Sequence, residues 1–435
     1  VNSIQGNPKQ GLTGATIGFF IGFAAVALFG PTAQRIKDSL ELTPLMVAFL
    51  VAVPSLSGSL LRIPFSAWVD ITGGRKPFLV LLGLSIAGMG GLTGLILWSY
   101  PDRLSSSLYP WMLVLGALSG CGIATFSVGA SQVSYWHPQR RQGSALGIYA
   151  GLGNLAPGIF TLLLPLALST LGLEGSYMAW FLLLVTGTFL YYRLGRKSWY
   201  FQYREQGHPP AQAYELARRA GQEIFPASSL KDSLFFSARV WRTWALVGIY
   251  FTTFGGFVAL TAWLPTYYSA YLNTSVLAAG AFTGLYSIAT SVFRVMGGGL
   301  ADRLGGETTT AAALLVIIAG AALMSFSQTL GMSLSAELLL ALGMGVGNAA
   351  VFKLVPQAVP RAVGGVSGWV GGLGAFGGFL IPPLLGVAVQ SQGLQGYASG
   401  FFLFVVLAAV SLVLTLLLKQ SFTAHSAAIE EKPAS

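Results

Sequence analysis

A chain of 435 residues that is 54% hydrophobic and only 9% charged cannot cover a soluble globule of its size, because an ordinary soluble domain is roughly one quarter charged. The composition excludes a water-dissolved domain and points to a protein embedded in lipid. Its one cysteine, Cys121, lies in an apolar segment and excludes a disulfide framework or a cysteine-based metal site. The net charge of +10 needs no nucleic acid to explain it if the basic loops face anionic lipid.

Taken in chain order with a window of about 20 residues, the length that crosses roughly 30 Å of hydrocarbon, the sequence predicts twelve spans. They run over 11–30, 44–66, 77–98, 109–134, 143–171, 176–193, 243–268, 276–300, 308–328, 335–355, 362–389 and 397–418. The first reads as a helix rather than a signal peptide, since eleven further spans follow it. Between the sixth and seventh lies one long polar segment, 193–242, with an amphipathic helical pattern around Tyr214 to Gly221. The expected organisation is an N-terminal bundle of six helices (1–192), a cytoplasmic linker (193–242), a C-terminal bundle of six (243–419) and a cytoplasmic tail (420–435), the tail reading as disordered.

Of the 24 lysines and arginines, 18 fall on the side of the N-terminus in this map, and only Arg35, Lys37 and Arg103 on the other. The bias places both termini in the cytoplasm, as for a multi-pass protein of the inner (plasma) membrane. The remaining three, Arg62, Arg294 and Lys353, fall within spans.

The two bundles repeat. "LRIPFSAWVDITGGRK" in span two matches "FRVMGGGLADRLGGET" in span eight, so that Arg62 precedes Asp70 by eight residues just as Arg294 precedes Asp302. "GSALGIYAGLGNLAPG" (143–158) matches "GGVSGWVGGLGAFGGF" (364–379), pairing Gly143, Gly147, Gly151 and Gly153 with Gly364, Gly368, Gly372 and Gly374. Such a parallel repeat predicts an all-α membrane protein with the major facilitator fold of two six-helix halves, in which substrate binds near the bilayer midplane.

Eight residues of helix lift each arginine about 12 Å from its aspartate, close to the bilayer centre, where an arginine costs about 2.5–3.5 kcal/mol on insertion scales. A lone arginine could reach the headgroups or bind a backbone carbonyl; two at matched positions of a repeat favour a shared purpose. All 14 acids fall in loops, tails or span ends on this map, so the counter-charge is expected from a ligand. A guanidinium presents a planar fork of donors suited to oxyanions.

The glycine-rich stretches "YAGLGNLAPG" and "GWVGGLGAFGGF", with "SYWHPQRRQGSALG" (134–147) and "NAAVFKLVP" (348–356), resemble the paired signatures of the nitrate/nitrite porter family of the major facilitator superfamily, over nearly the whole chain outside linker and tail. The resemblance implies transport of nitrate and nitrite by alternating access, with Arg62 and Arg294 as the anion clamp, Tyr250 as a hydrogen-bond donor, Phe254 and Phe126 as walls, and Asn154 as a polar contact. It implies no cofactor, and nitrate, nitrite and the lipid bilayer as the partners of a monomer. Packing is the plain alternative for Phe126 and Phe254, and an interhelical hydrogen bond for Asn154. Tyr149 and Pro157 depart from the family pattern, which commonly has asparagine and glycine there.

The glycines at 151, 153, 372 and 374 lie inside apolar spans with no strand before them, so close helix packing fits better than a phosphate loop. Asp70 and Asp302, with Arg75, Arg140, Arg141, Arg303 and Arg361 nearby in sequence, read as ion pairs closing a cytoplasmic gate. Lys353 reads as snorkelling or as attracting arriving anions. An empty site would leave two cations uncompensated, which favours nitrate/nitrite antiport. A proton-coupled symporter and an exchanger of another oxyanion, such as an organic phosphate, stand as alternatives, as does a sensor that binds without flux. A membrane enzyme fits least, because His137, His208 and His425 all lie in loops or tail.

Overall fold

A computed structural model describes residues 4–24, 28, 32, 36, 40–42, 44–226 and 229–430. The end of the first expected span, with Arg35, Lys37 and Asp38, and the last five residues of the tail, with Glu431 and Lys432, lie outside the described residues. No strand occurs among those described.

The chain forms two compact units. The first comprises 1–139, 148–237 and 360–372; the second comprises 140–147, 238–359 and 373–435. In the first unit the helices are α1 (Pro8–Ala24), α2 (Pro44–Leu60), α3 (Arg62–Thr72), α4 (Arg75–Ser99), α5 (Tyr109–Gly120), α6 (Thr125–Trp136), most of α7 (Gln142–Thr170) and α8 (Gly172–Leu194). The linker, expected to carry one helical stretch, forms three: α9 (Trp199–Glu205), α10 (Pro210–Arg219) and α11 (Leu230–Arg239). The second unit contains α12 (Trp241–Tyr250), α13 (Gly256–Thr266), α14 (Val276–Leu304), α15 (Gly306–Ser325), α16 (Leu330–Ala358), α18 (Gly377–Gln392) and α19 (Phe402–Glu430), while α17 (Val363–Ala375) starts in the first unit.

Nine helices among the described residues are long and apolar enough to cross a membrane. The other three expected spans have visible reasons for falling short. The first runs into undescribed residues. The second is split at Leu61 into α2 and α3, because Pro64 has no N–H for the carbonyl of Leu60 and its ring crowds that carbonyl. The eighth, α14, carries Arg294 in its apolar run.

Lipid contact is written on the helix faces. In α8, Leu182, Val185, Phe189 and Leu190 are exposed while Trp180, Leu184, Gly187 and Tyr191 are buried. In α19, Phe402, Val406, Val410, Val413 and Leu417 face outward at helical spacing, and Phe404, Ala408, Ser411 and Thr415 face in. A helix apolar on its exposed side as well as its buried one belongs in hydrocarbon. Helix α19 is drawn to Glu430, and the last five residues of the expected tail lie outside the described residues.

Candidate anion site

In the first unit, the break at Leu61 leaves Arg62 as the leading residue of α3, and its side chain is 2% exposed. One guanidinium nitrogen, Nη1, donates to the carbonyl of Gly371 at 2.8 Å, and Cζ lies 5.0 Å from the centroid of the Phe126 ring. Carbonyl binding, one of the plain alternatives, is thus met for one of the five guanidinium N–H groups. Phe126 is fully buried and stacks on Tyr149, with centroids 6.2 Å apart. The Tyr149 hydroxyl donates to the carbonyls of Thr125 at 3.0 Å and Phe126 at 2.8 Å, so this departure from the family pattern ties α7 to α6 directly beneath the aromatic wall. Asn154 is buried, and its Oδ1 has no hydrogen-bond partner among the described residues.

In the second unit, Arg294 is 1% exposed, and its Nη2 donates to the Tyr250 hydroxyl at 3.1 Å. Its Cζ lies 5.5 Å from the Phe254 ring, 5.9 Å from Tyr250 and 5.8 Å from Phe352. Tyr250 and Phe254 stack almost parallel, with centroids 4.9 Å apart and planes at 5°, and Phe352 meets Tyr250 edge-on at 4.8 Å. The turn between them is wider than an α-turn: residues 251–255 are π-helical, a local geometry often found at functional sites. Sequence reasoning missed Phe352, because one aromatic in an apolar run carries no signal apart from packing.

The two aspartates of the repeat take different partners. Asp70 is buried and accepts from the Tyr135 hydroxyl at 2.5 Å, the Ser233 hydroxyl at 2.5 Å and the backbone N–H of Gly364 at 2.9 Å. The expected pairing with arginine does not occur for it among the described residues; Arg75 instead donates to the Tyr192 carbonyl at 2.7 Å. Four residues beyond the second expected span, Asp70 has its carboxyl pushed up to about 6 by burial, against which the three donors work in the opposite direction. Asp302 accepts from the N–H groups of Gly143 at 2.9 Å and Ser144 at 2.7 Å, from the Ser144 hydroxyl at 2.6 Å, and from Lys353 Nζ at 2.9 Å. Lys353 therefore neither snorkels nor waits for anions: it is ion-paired to Asp302 and also donates to the carbonyl of Ala301 at 2.9 Å.

The glycines make these contacts sterically possible. A Cβ on Gly143 would stand 2.5 Å from the Asp302 carboxylate, and one on Gly364 would stand 2.6 Å from that of Asp70. Gly153, Gly372 and Gly374 touch Phe19, Ile63 and Tyr250 respectively, and Gly151 is buried. One acid departs from the expectation that all lie at span ends: α16 starts at Leu330, so Glu337 sits two turns inside it, 3% exposed, accepting from the Tyr268 hydroxyl.

The Major Facilitator Superfamily profile matches residues 15–382 and again 272–435. Among curated relatives, the chain is 30% identical over 424 residues to a probable nitrate/nitrite antiporter, NarK1, of Thermus thermophilus, covering 91% of this chain and 88% of that one. It is 27% identical to the nitrite extrusion protein of Bacillus subtilis, covering 91% and 90%. Among solved structures, the human organic anion transporter MFSD10 has the same fold at a TM-score of 0.68 and 14% identity, covering 95% of this chain and 100% of that one. The Escherichia coli fucose:proton symporter FucP matches at 0.66 and 15%, covering 93% and 98%. The chain belongs to the nitrate/nitrite porter family of the Major Facilitator Superfamily and is a membrane transporter, not an enzyme.

Proposed function

We propose that this protein exchanges nitrate for nitrite across the cell membrane, and that the guanidinium groups of Arg62 and Arg294 both ligate the anion. The observation that carries this reading is the burial of both guanidinium groups among aromatic rings, at matched positions of the internal repeat. A buried guanidinium presents a planar fork of charge-assisted donors to an oxyanion, and packed rings that hold the fork in place keep the reorganisation cost small. The phenyl faces repel anions weakly and exclude water, which strengthens the attraction at the guanidinium. The names of the relatives support nitrate and nitrite as the pair exchanged. The expected monomer, the cytoplasmic placement of both termini and the inner-membrane location belong to the same reading.

The test is counterflow in liposomes. Vesicles loaded with nitrite should accumulate labelled nitrate far faster than empty vesicles, and inorganic phosphate or phosphate esters in the lumen should not substitute. Equal uptake into empty and nitrite-loaded vesicles would defeat exchange, and efficient trans-stimulation by a phosphate ester would reassign the substrate.

A further inference from the structure

Asn348 is completely buried in α16, and neither Nδ2 nor Oδ1 has a hydrogen-bond partner among the described residues. Buried amides are rarely left this way, since both poles have given up water without replacement. Neither the clamp nor the gate uses this side chain, so its place in the helix needs an account.

That place is fixed by its neighbours. Gly345, Asn348 and Phe352 stand at i, i+3 and i+7 of α16, which confines them to an arc of about 60° on one helical face. At one end of that stripe, Gly345 packs against α14 so closely that a Cβ there would stand 3.1 Å from the backbone nitrogen of Arg294. At the other end, the Phe352 ring lies 5.8 Å from the Arg294 Cζ. The arginine side chain therefore runs along α16 from Gly345 to Phe352, and Asn348 lies between these two contacts on the same face.

The geometry points to Asn348 as an anion ligand and specificity residue: its amide N–H group donates to an oxygen of the nitrate held at Arg294. The assignment rests on the nitrate reading above and deepens it. A neutral amide suits the position, because it adds a donor for the anion without adding a charge that would remain when the anion leaves. Nitrate offers three acceptor oxygens and nitrite two. A donor additional to Arg294 and Tyr250 is thus of more use to nitrate, and its removal should tilt selectivity toward nitrite.

The assignment is tested with reconstituted wild type, Asn348→Leu, Asn348→Ser and Asn348→Asp, measuring nitrate and nitrite exchange kinetics and stabilisation of the detergent-solubilised protein by sodium nitrate. Loss of a hydrogen bond to a charged ligand predicts a rise of about tenfold in the KM for nitrate in Asn348→Leu, with kcat near wild type and a smaller rise for nitrite. The carboxylate of Asn348→Asp would itself neutralise Arg294, abolishing both exchange and stabilisation by nitrate. A wild-type nitrate KM in Asn348→Leu, or an equal loss for both anions confined to kcat, would overturn the assignment in favour of a packing role. If the leucine variant is not recovered folded, the shorter serine serves the same comparison, and a wild-type nitrate KM there counts equally against it. Failure of the nitrate reading would look different, because wild type itself would then show neither exchange nor stabilisation.

Discussion

At the scale of single residues, the properties that matter are charge, shape and the neutrality of the surroundings. Arg62 and Arg294 are each almost fully buried, and each lies over the face of at least one phenyl ring. Lysine would keep the charge and lose the planar fork. Arg62→Lys and Arg294→Lys are therefore expected to insert and elute as wild type does and to show no measurable nitrate counterflow; near-normal uptake by either would remove the arginines from the site. The sequence was most legible here, since a guanidinium at matched positions of a repeat is conspicuous. The quieter residues were not. Phe352 looks like ordinary helix filling until the Arg294 guanidinium is seen over its ring, and Tyr149 shows its purpose only through the α6 carbonyls it bonds.

At the scale of elements, hydropathy located the helices well, but contacts distant in sequence were beyond its reach. Nothing in the pattern near Asp70 announces that Ser233 of linker helix α11, 163 residues away, donates to it. Nor does the run at 335–355 reveal that α16 begins earlier, at Leu330, which takes Glu337 inside. The two aspartates at equivalent places of the repeat predict different behaviour. Asp302 and Lys353 form a pair whose side chains are 12% and 7% exposed, and removing one partner leaves a charge with poor solvation. Lys353→Met should therefore lower stability by about 3 kcal/mol or more, and Lys353→Met with Asp302→Asn should lower it by less; strict additivity in a thermal melt would show that the pair is not coupled. Asp70 has no lysine partner among the described residues and responds to pH instead. Its folded pKa of about 6 lies above the ordinary value of 3.8, so its stabilising contribution is full below about pH 4 and is lost as pH rises through 6. The melting temperature of wild type relative to Asp70→Asn is accordingly expected to fall between pH 4 and 6 and to be flat outside that window. A difference unchanged across the window would contradict the burial-driven shift.

At the scale of the whole molecule, the question is what moves with the anion. The sequence alone suggested that no buried carboxylate was available to carry a proton, and Glu337 overturns that premise. The proposed exchange does not draw on Glu337, so Glu337→Gln should retain nitrate/nitrite counterflow and its insensitivity to a pH gradient. Should wild-type uptake follow an imposed proton gradient and the glutamine variant lose that response, the protein would be a symporter with Glu337 in its proton path. The apolar outer faces of α8 and α19 belong to this scale as well, since they set the lipid thickness that the helices match.

Cys121, the chain's one thiol, is 3% exposed and hands its S–H to the carbonyl of Ala117 one turn back. A maleimide or nitroxide reagent supplied from water has nothing native to attack. Engineered cysteines can accordingly be tagged in otherwise unaltered protein, and spin–spin separations followed as nitrate is added, without first deleting a background label.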